Sequence, residues 1–130
     1  MIFERIKTAG IAHVAYLIGN KGQAAVVDPR RDVSEYVTLA RKHKLTIKYA
    51  IETHRQEDFV MGSAELARQC GAKVVNGRHK AFGHGDIRLD DGEGFELAQG
   101  IRIVALHTPG HTPESMCYAV YLDDAPDRAW

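Results

Sequence analysis

Residues 45–71 read LTIKYAIETHRQEDFVMGSAELARQCG, and the way this stretch divides decides the fold. Its first third is apolar and rich in strand-forming residues, as a buried strand is. Its last third is predicted to be a helix, with Gly71 placed as the C-terminal stop. Between them lies a short run dense in His, Gln, Glu, Asp and Arg. Strand, polar loop, helix is the repeating unit of an α/β fold, and the loops at strand ends are where such folds carry chemistry.

Working outward, HVAYLIGN (13–20) reads as a strand, residues 19–22 as a hairpin turn and QAAVVDP (23–29) as its partner, stopped by Pro29. Residues 31–44 are predicted helical, with Val33, Tyr36, Val37 and Ala40 on one face and Asp32 or Ser34 as the cap. AKVVN (72–76) is a short strand, 77–93 is mostly loop, 95–108 is a hairpin about Gly100, and SMCYAVYL (115–122) is a last strand. The predicted order is ββαβαβ followed by a β-meander, an α/β chain.

The bulk numbers exclude several classes. A chain of 130 residues suits one domain with a real core. Seventeen basic residues balance seventeen acidic ones, which argues against nucleic acid or an anionic membrane as the main partner. No apolar run approaches the ~20 residues of a membrane span, and the first ten residues lack the apolar core of a secretory signal. Two cysteines far apart, Cys70 and Cys117, fit reduced thiols packing as small hydrophobes, hence a cytoplasmic setting.

Two loops stand out, THRQED at 53–58 and TPGHTPES at 108–115. The Pro-Gly turn holds His111 rigidly between two strands. A histidine in each of two strand-end loops is a common way to grip a divalent metal. The other histidines, His13, His43, His79, His84 and His107, read as hydrogen-bonded or solvated residues without a ligand role.

VVDPRRD (26–32), THRQED, DGEGFEL (91–97) and TPGHT (108–112), in this order, resemble the metallo-β-lactamase superfamily. Within it the likeness is to the glyoxalase II and persulfide dioxygenase branch, including forms fused to rhodanese domains. The resemblance implies a single domain over 1–130 that supplies the first half of an αββα sandwich, a mixed sheet with helices on one face. The family's first metal motif, Thr-His-x-His-x-Asp-His, falls on residues 53–59. His54 and Asp58 match it; Gln56 and Phe59 stand where the family has histidine. His111 matches the later family histidine, and Glu114 stands where glycine is usual.

The resemblance therefore implies a weak or vestigial metal set of His54, His111 and Asp58, with Gln56, Glu57 and Phe59 lining the pocket. One weakly held iron or zinc ion, or none, is expected, and a glutathione-like thiol or thioester as ligand. The implied activity is that of a metal-dependent hydrolase or dioxygenase, with little turnover from this chain alone. The alternatives are a non-catalytic binding module that has lost the metal, or a fragment whose function needs further chain. AYLI, AAVV, IRIVAL and MCYAVYL carry apolar residues at both alternating positions, which calls for cover on both faces. Since the resemblance gives this chain only the first half of the sandwich, the inner face of its sheet is expected to be bare, and a homodimer joined through that face, with or without strand exchange, is expected.

Overall fold

The computed structural model describes residues 1–130. The first sheet has six strands, β1 (Ile2–Thr8), β2 (His13–Asn20), β3 (Gln23–Val27), β4 (Thr46–Ile51), β5 (Lys73–Gly77) and β6 (Ile87–Leu89), hydrogen-bonded in chain order. β1, β2 and β3 are antiparallel neighbours, whereas β3 to β6 run parallel. The β2–β3 hairpin turns through Lys21 and Gly22, both with positive φ, the conformation that matches strand twist in a two-residue loop.

The parallel strands need crossovers, which α1 (Ser34–Lys42) and α2 (Ser63–Cys70) supply. Both helices lie on one face. Val33, Tyr36, Ala40 and Leu66 pack there against Ala15, Leu17, Ala24, Val26, Ile47 and Ala50. Tyr36 is fully buried, and its hydroxyl accepts the Arg30 N–H at 3.2 Å. Asp32 accepts the Ser34 N–H and hydroxyl just ahead of α1, but the N-cap is Val33 and no side chain caps the helix, which begins three residues later than the sequence pattern placed it.

The opposite face corrects an expectation. It is not bare. A second, antiparallel sheet covers it, with strands β7 (Gly94–Ala98), β8 (Ile101–His107), β9 (Met116–Leu122) and β10 (Ala125–Ala129) in the order β10-β9-β8-β7. Ile18, Ala25, Val27, Ile51 and Val75 from the first sheet meet Leu97, Ile101, Ile103, Ala105, Met116 and Val120 from the second. The apolar alternation was a true signal, but its cover comes from the same chain. A two-fold dimer through that face would first have to peel the second sheet away. Three strands also went unread: β1, β6 inside the predicted loop, and β10 after the last predicted strand.

The two thiols sit in different surroundings. Cys70, at the end of α2, is half-buried against the helix-side core. Burial pushes its pKa up, and Arg41 offsets this only in part. Cys117 is exposed on β9. Since the thiolate is the nucleophile, iodoacetamide at neutral pH should alkylate Cys117 first, read by peptide mass mapping. The reverse order would mean that β9 is covered in solution.

Candidate functional site

The site forms where the carboxyl ends of β3 and β4 meet the β8–β9 turn. Asp28 ends β3 with a positive φ of 49° and is buried. Its carboxylate accepts the Thr53 N–H at 2.8 Å and the Thr53 hydroxyl at 2.6 Å. Burial nevertheless dominates, and the Asp28 pKa is raised against the pull of Thr53, His54 and His13. His13, also buried, reaches the Asp28 carbonyl at 2.8 Å through Nε2.

Thr53 passes this arrangement on to His54, whose Nδ1 lies 2.8 Å from the Thr53 hydroxyl oxygen. That hydroxyl gives its proton to Asp28, so its oxygen accepts from His54 Nδ1–H. The network thus assigns the proton to Nδ1 and leaves a lone pair on Nε2. The Gln56 side-chain amide lies 3.4 Å from the same Nδ1. His111, exposed at the tip of the β8–β9 turn, stands edge-on to His54, with ring centroids 4.9 Å apart and planes at 77°. The structure therefore brings together the two histidines that the sequence pointed to.

Three hydrogen bonds hold the turn against the β4 end. The Met116 N–H donates to the Thr53 carbonyl at 2.8 Å, and the Tyr118 hydroxyl donates to the Glu52 carbonyl at 2.9 Å. The third comes from Glu114, only 4% exposed, whose Oε1 accepts the Arg55 N–H at 3.0 Å. Burial pushes the Glu114 pKa up. The hydrogen bonds from the Arg55 N–H, its own N–H and Thr112, with His79 nearby, outweigh that and hold it below the usual carboxylate range. Glu114, standing where the family has glycine, is one of the ties between the two histidine loops.

The remaining expected residues fall elsewhere. Asp58 and Glu57 are exposed on the loop. Phe59 packs on the His13 ring, with centroids 4.3 Å apart. No group of three His, Cys, Asp or Glu side chains lies close enough together to hold a metal ion, so Asp58 does not join His54 and His111. A cleft of about 430 Å3 opens beside His54, walled by Glu52, Arg55 and Met61 on one side and residues 80–84 on the other. Gln56, Glu57 and Phe59, expected to line the pocket, are not among its walls. Glu52 and His84, which do line it, went unsuspected. The only hint in the sequence was an acidic residue closing an apolar strand directly before Thr53 and His54.

Two face-to-face sheets, with helices outside the first and two histidine loops meeting at the strand ends, define an α/β sandwich with its site at one end. The chain belongs to the metallo-β-lactamase superfamily, whose family model matches residues 9–125. It is 37% identical over 110 residues to a cytoplasmic hydroxyacylglutathione hydrolase of Arabidopsis thaliana, covering 82% of this chain and 42% of that protein. It is 35% identical over 118 residues to a hydroxyacylglutathione hydrolase of Anaeromyxobacter dehalogenans, covering 89% of this chain and 45% of that protein. The chain thus spans less than half the length of these relatives. Among solved structures, a metallo-beta-lactamase from Staphylococcus aureus superposes with a TM-score of 0.86 at 29% identity, covering 95% of this chain and 39% of that one. ETHE1 from Myxococcus xanthus does so with 0.82 at 26%, covering 92% and 54%. No helix is long and apolar enough to cross a membrane.

Proposed function

We propose that the chain binds a thioester or related acyl or sulfur derivative of a glutathione-like thiol in the cleft beside His54, and hydrolyses it slowly. The observation that carries this reading is the His54–His111 pair, with His54 on the wall of a cleft that also holds Arg55 and Lys80, in a chain whose relatives include hydroxyacylglutathione hydrolases. Arg55 and Lys80 on those walls make no ion pair and suit an anionic ligand.

The metal that the family implies does not fit the donors gathered here. Catalytic zinc takes three protein ligands and a water. Two imidazoles converge, and no third His, Cys, Asp or Glu joins them. We accordingly assign this chain no more than a weak, substoichiometric site for one iron or zinc ion. A second reading, a binding module without turnover, is favoured by Gln56 and Phe59 at the positions of family histidines, with Phe59 turned onto His13.

The test follows a hydroxyacylglutathione thioester by loss of its absorbance, and binding of unreactive S-methylglutathione by calorimetry. Binding with slow turnover is expected. Binding alone leaves the module reading, and neither overturns both. The metal assignment is checked by Gln56→His, which places an imidazole beside His54 and should raise zinc affinity above the parent in a side-by-side titration. Equal affinities would mean that position 56 cannot reach the shared metal position.

A further inference from the structure

Deeper in the same cleft, Glu52 is 2% exposed. It sits where β4 runs out, its N–H donating to the Val75 carbonyl. A carboxylate in that position is costly unless its oxygens are satisfied. Two side chains satisfy them. His84 Nε2 lies 2.9 Å from Oε2 and 3.1 Å from Oε1, and Asn76 Nδ2 donates to Oε2 at 3.0 Å. Asn76, with no exposed surface, also donates to the His84 carbonyl at 3.0 Å, so one buried amide fixes both members of the pair. The loop fits closely here. Gly85 has a φ of 132°, and a Cβ on it would stand 2.6 Å from Asn76 Oδ1.

The chemistry of the contact assigns the tautomer. A carboxylate accepts, so Nε2 carries the proton, and the neutral ring keeps its lone pair on Nδ1. No hydrogen bond reaches Nδ1, and the His84 side chain is 58% exposed on the cleft wall. A buried acid that fixes the tautomer of an imidazole, leaving its other nitrogen free in a cleft, is the orienter–base half of a hydrolytic triad. The remaining charged or titratable walls are His54, Arg55 and Lys80.

We propose that His84, oriented by Glu52, is a general base in this cleft and promotes hydrolysis of an anionic thioester without metal. The inference rests on the reading that the cleft takes such a thioester. His84 Nδ1 removes a proton from water as the water oxygen bonds to the thioester carbonyl carbon. Collapse of the adduct breaks the C–S bond, and Nδ1–H returns the proton to the departing sulfur, giving a carboxylic acid and a thiol. Arg55 and Lys80 attract the anionic substrate. Glu52 is a positioning residue.

The test uses the full chain with EDTA present throughout. His84→Asn should lower kcat for the hydroxyacylglutathione thioester by roughly 100-fold with KM little changed, the ordinary weight of a general base. Added imidazole should restore turnover to His84→Gly, which a purely structural role would not allow. Ring nitrogen NMR of the parent should give the Nε2–H tautomer for His84, lost in Glu52→Leu if that variant keeps its amide dispersion. If the parent turns over the thioester and His84→Asn keeps pace, the dyad is wrong while the proposed function stands. If the parent turns the thioester over only without EDTA, the dyad is wrong while the proposed function stands; if it does so neither with nor without EDTA, the proposed function fails. The dyad then stands or falls on p-nitrophenyl acetate, whose hydrolysis by the parent must still exceed that by His84→Asn. An Nδ1–H tautomer in the parent overturns the inference outright.

Discussion

Replacing Glu114 with alanine is expected to part the two histidine loops while both sheets stay folded. The carboxylate is buried, and it ties the Arg55 N–H to a segment 59 residues away in the chain. Alanine removes the acceptor and strands that N–H. A charge-assisted bond of this kind is worth about 2 kcal/mol, which a denaturation midpoint can read. The Met116–Thr53 and Tyr118–Glu52 bonds persist, so the loss should stay local. The informative measurement is the nuclear Overhauser contact between the His54 and His111 rings, now 4.9 Å apart. It should vanish in Glu114→Ala and survive in Glu114→Gln, which keeps an acceptor oxygen. Its survival in both would show that the other two bonds suffice. The pH dependence has a definite sign. The Glu114 pKa is lowered in the folded chain, so its contribution is present above the ordinary carboxylate value and fades as the pH falls through the folded one. Acid should therefore narrow the gap in denaturation midpoint between the parent and Glu114→Ala.

Gly62→Ala should cost more. Gly62 precedes α2, and its N–H donates to the Pro29 carbonyl at 2.6 Å. A Cβ there would stand 2.1 Å from the Arg30 carbonyl oxygen and 2.7 Å from its carbon, with Val33 Cγ1 at 2.9 Å. Two of the three are backbone atoms, so no side-chain rotation clears the space. Overpacking of this severity costs about 3 kcal/mol, which in a chain of this size lowers the melting temperature by roughly 10 °C. Because Arg30 also bridges to Met61, the shift would reach the loop that carries His54. A melting curve that overlays the parent's would mean that the start of α2 swings freely, against the packing described above.

The sequence speaks most clearly where structure is local. β3 and β4 were legible as apolar runs, and α2 by its glycine stop. β1 was not, because of its seven residues only Ile6 is buried. β6 is three residues long, too short for any period to register. The largest misreading concerned the inner face of the first sheet. Alternating apolar residues state that two faces need cover, but not which strands provide it, since packing of one sheet on another is set by contacts distant in sequence. The site follows the same rule. His54 and His111 could be picked out because each sits in a distinctive turn. Glu52 with His84, and Glu114 with Arg55, lie 32 and 59 residues apart and become pairs only once the sheets close.

Two open sheets leave four strand edges, β1 and β6 on the first and β10 and β7 on the second. Unpaired edges are templates on which other chains can add strands. Here β1 carries Glu4, Arg5 and Lys7, β6 stops after three residues around Arg88, and β10 runs through Pro126, Asp127 and Arg128. β7 opens on Gly94, where a Cβ would meet the Ile103 carbonyl oxygen of its own partner strand at 2.3 Å, and places Glu96 at its centre. A neighbouring chain seeking to extend either sheet meets charge, brevity or proline at every border. Each of these four strands thus carries a feature that opposes strand addition.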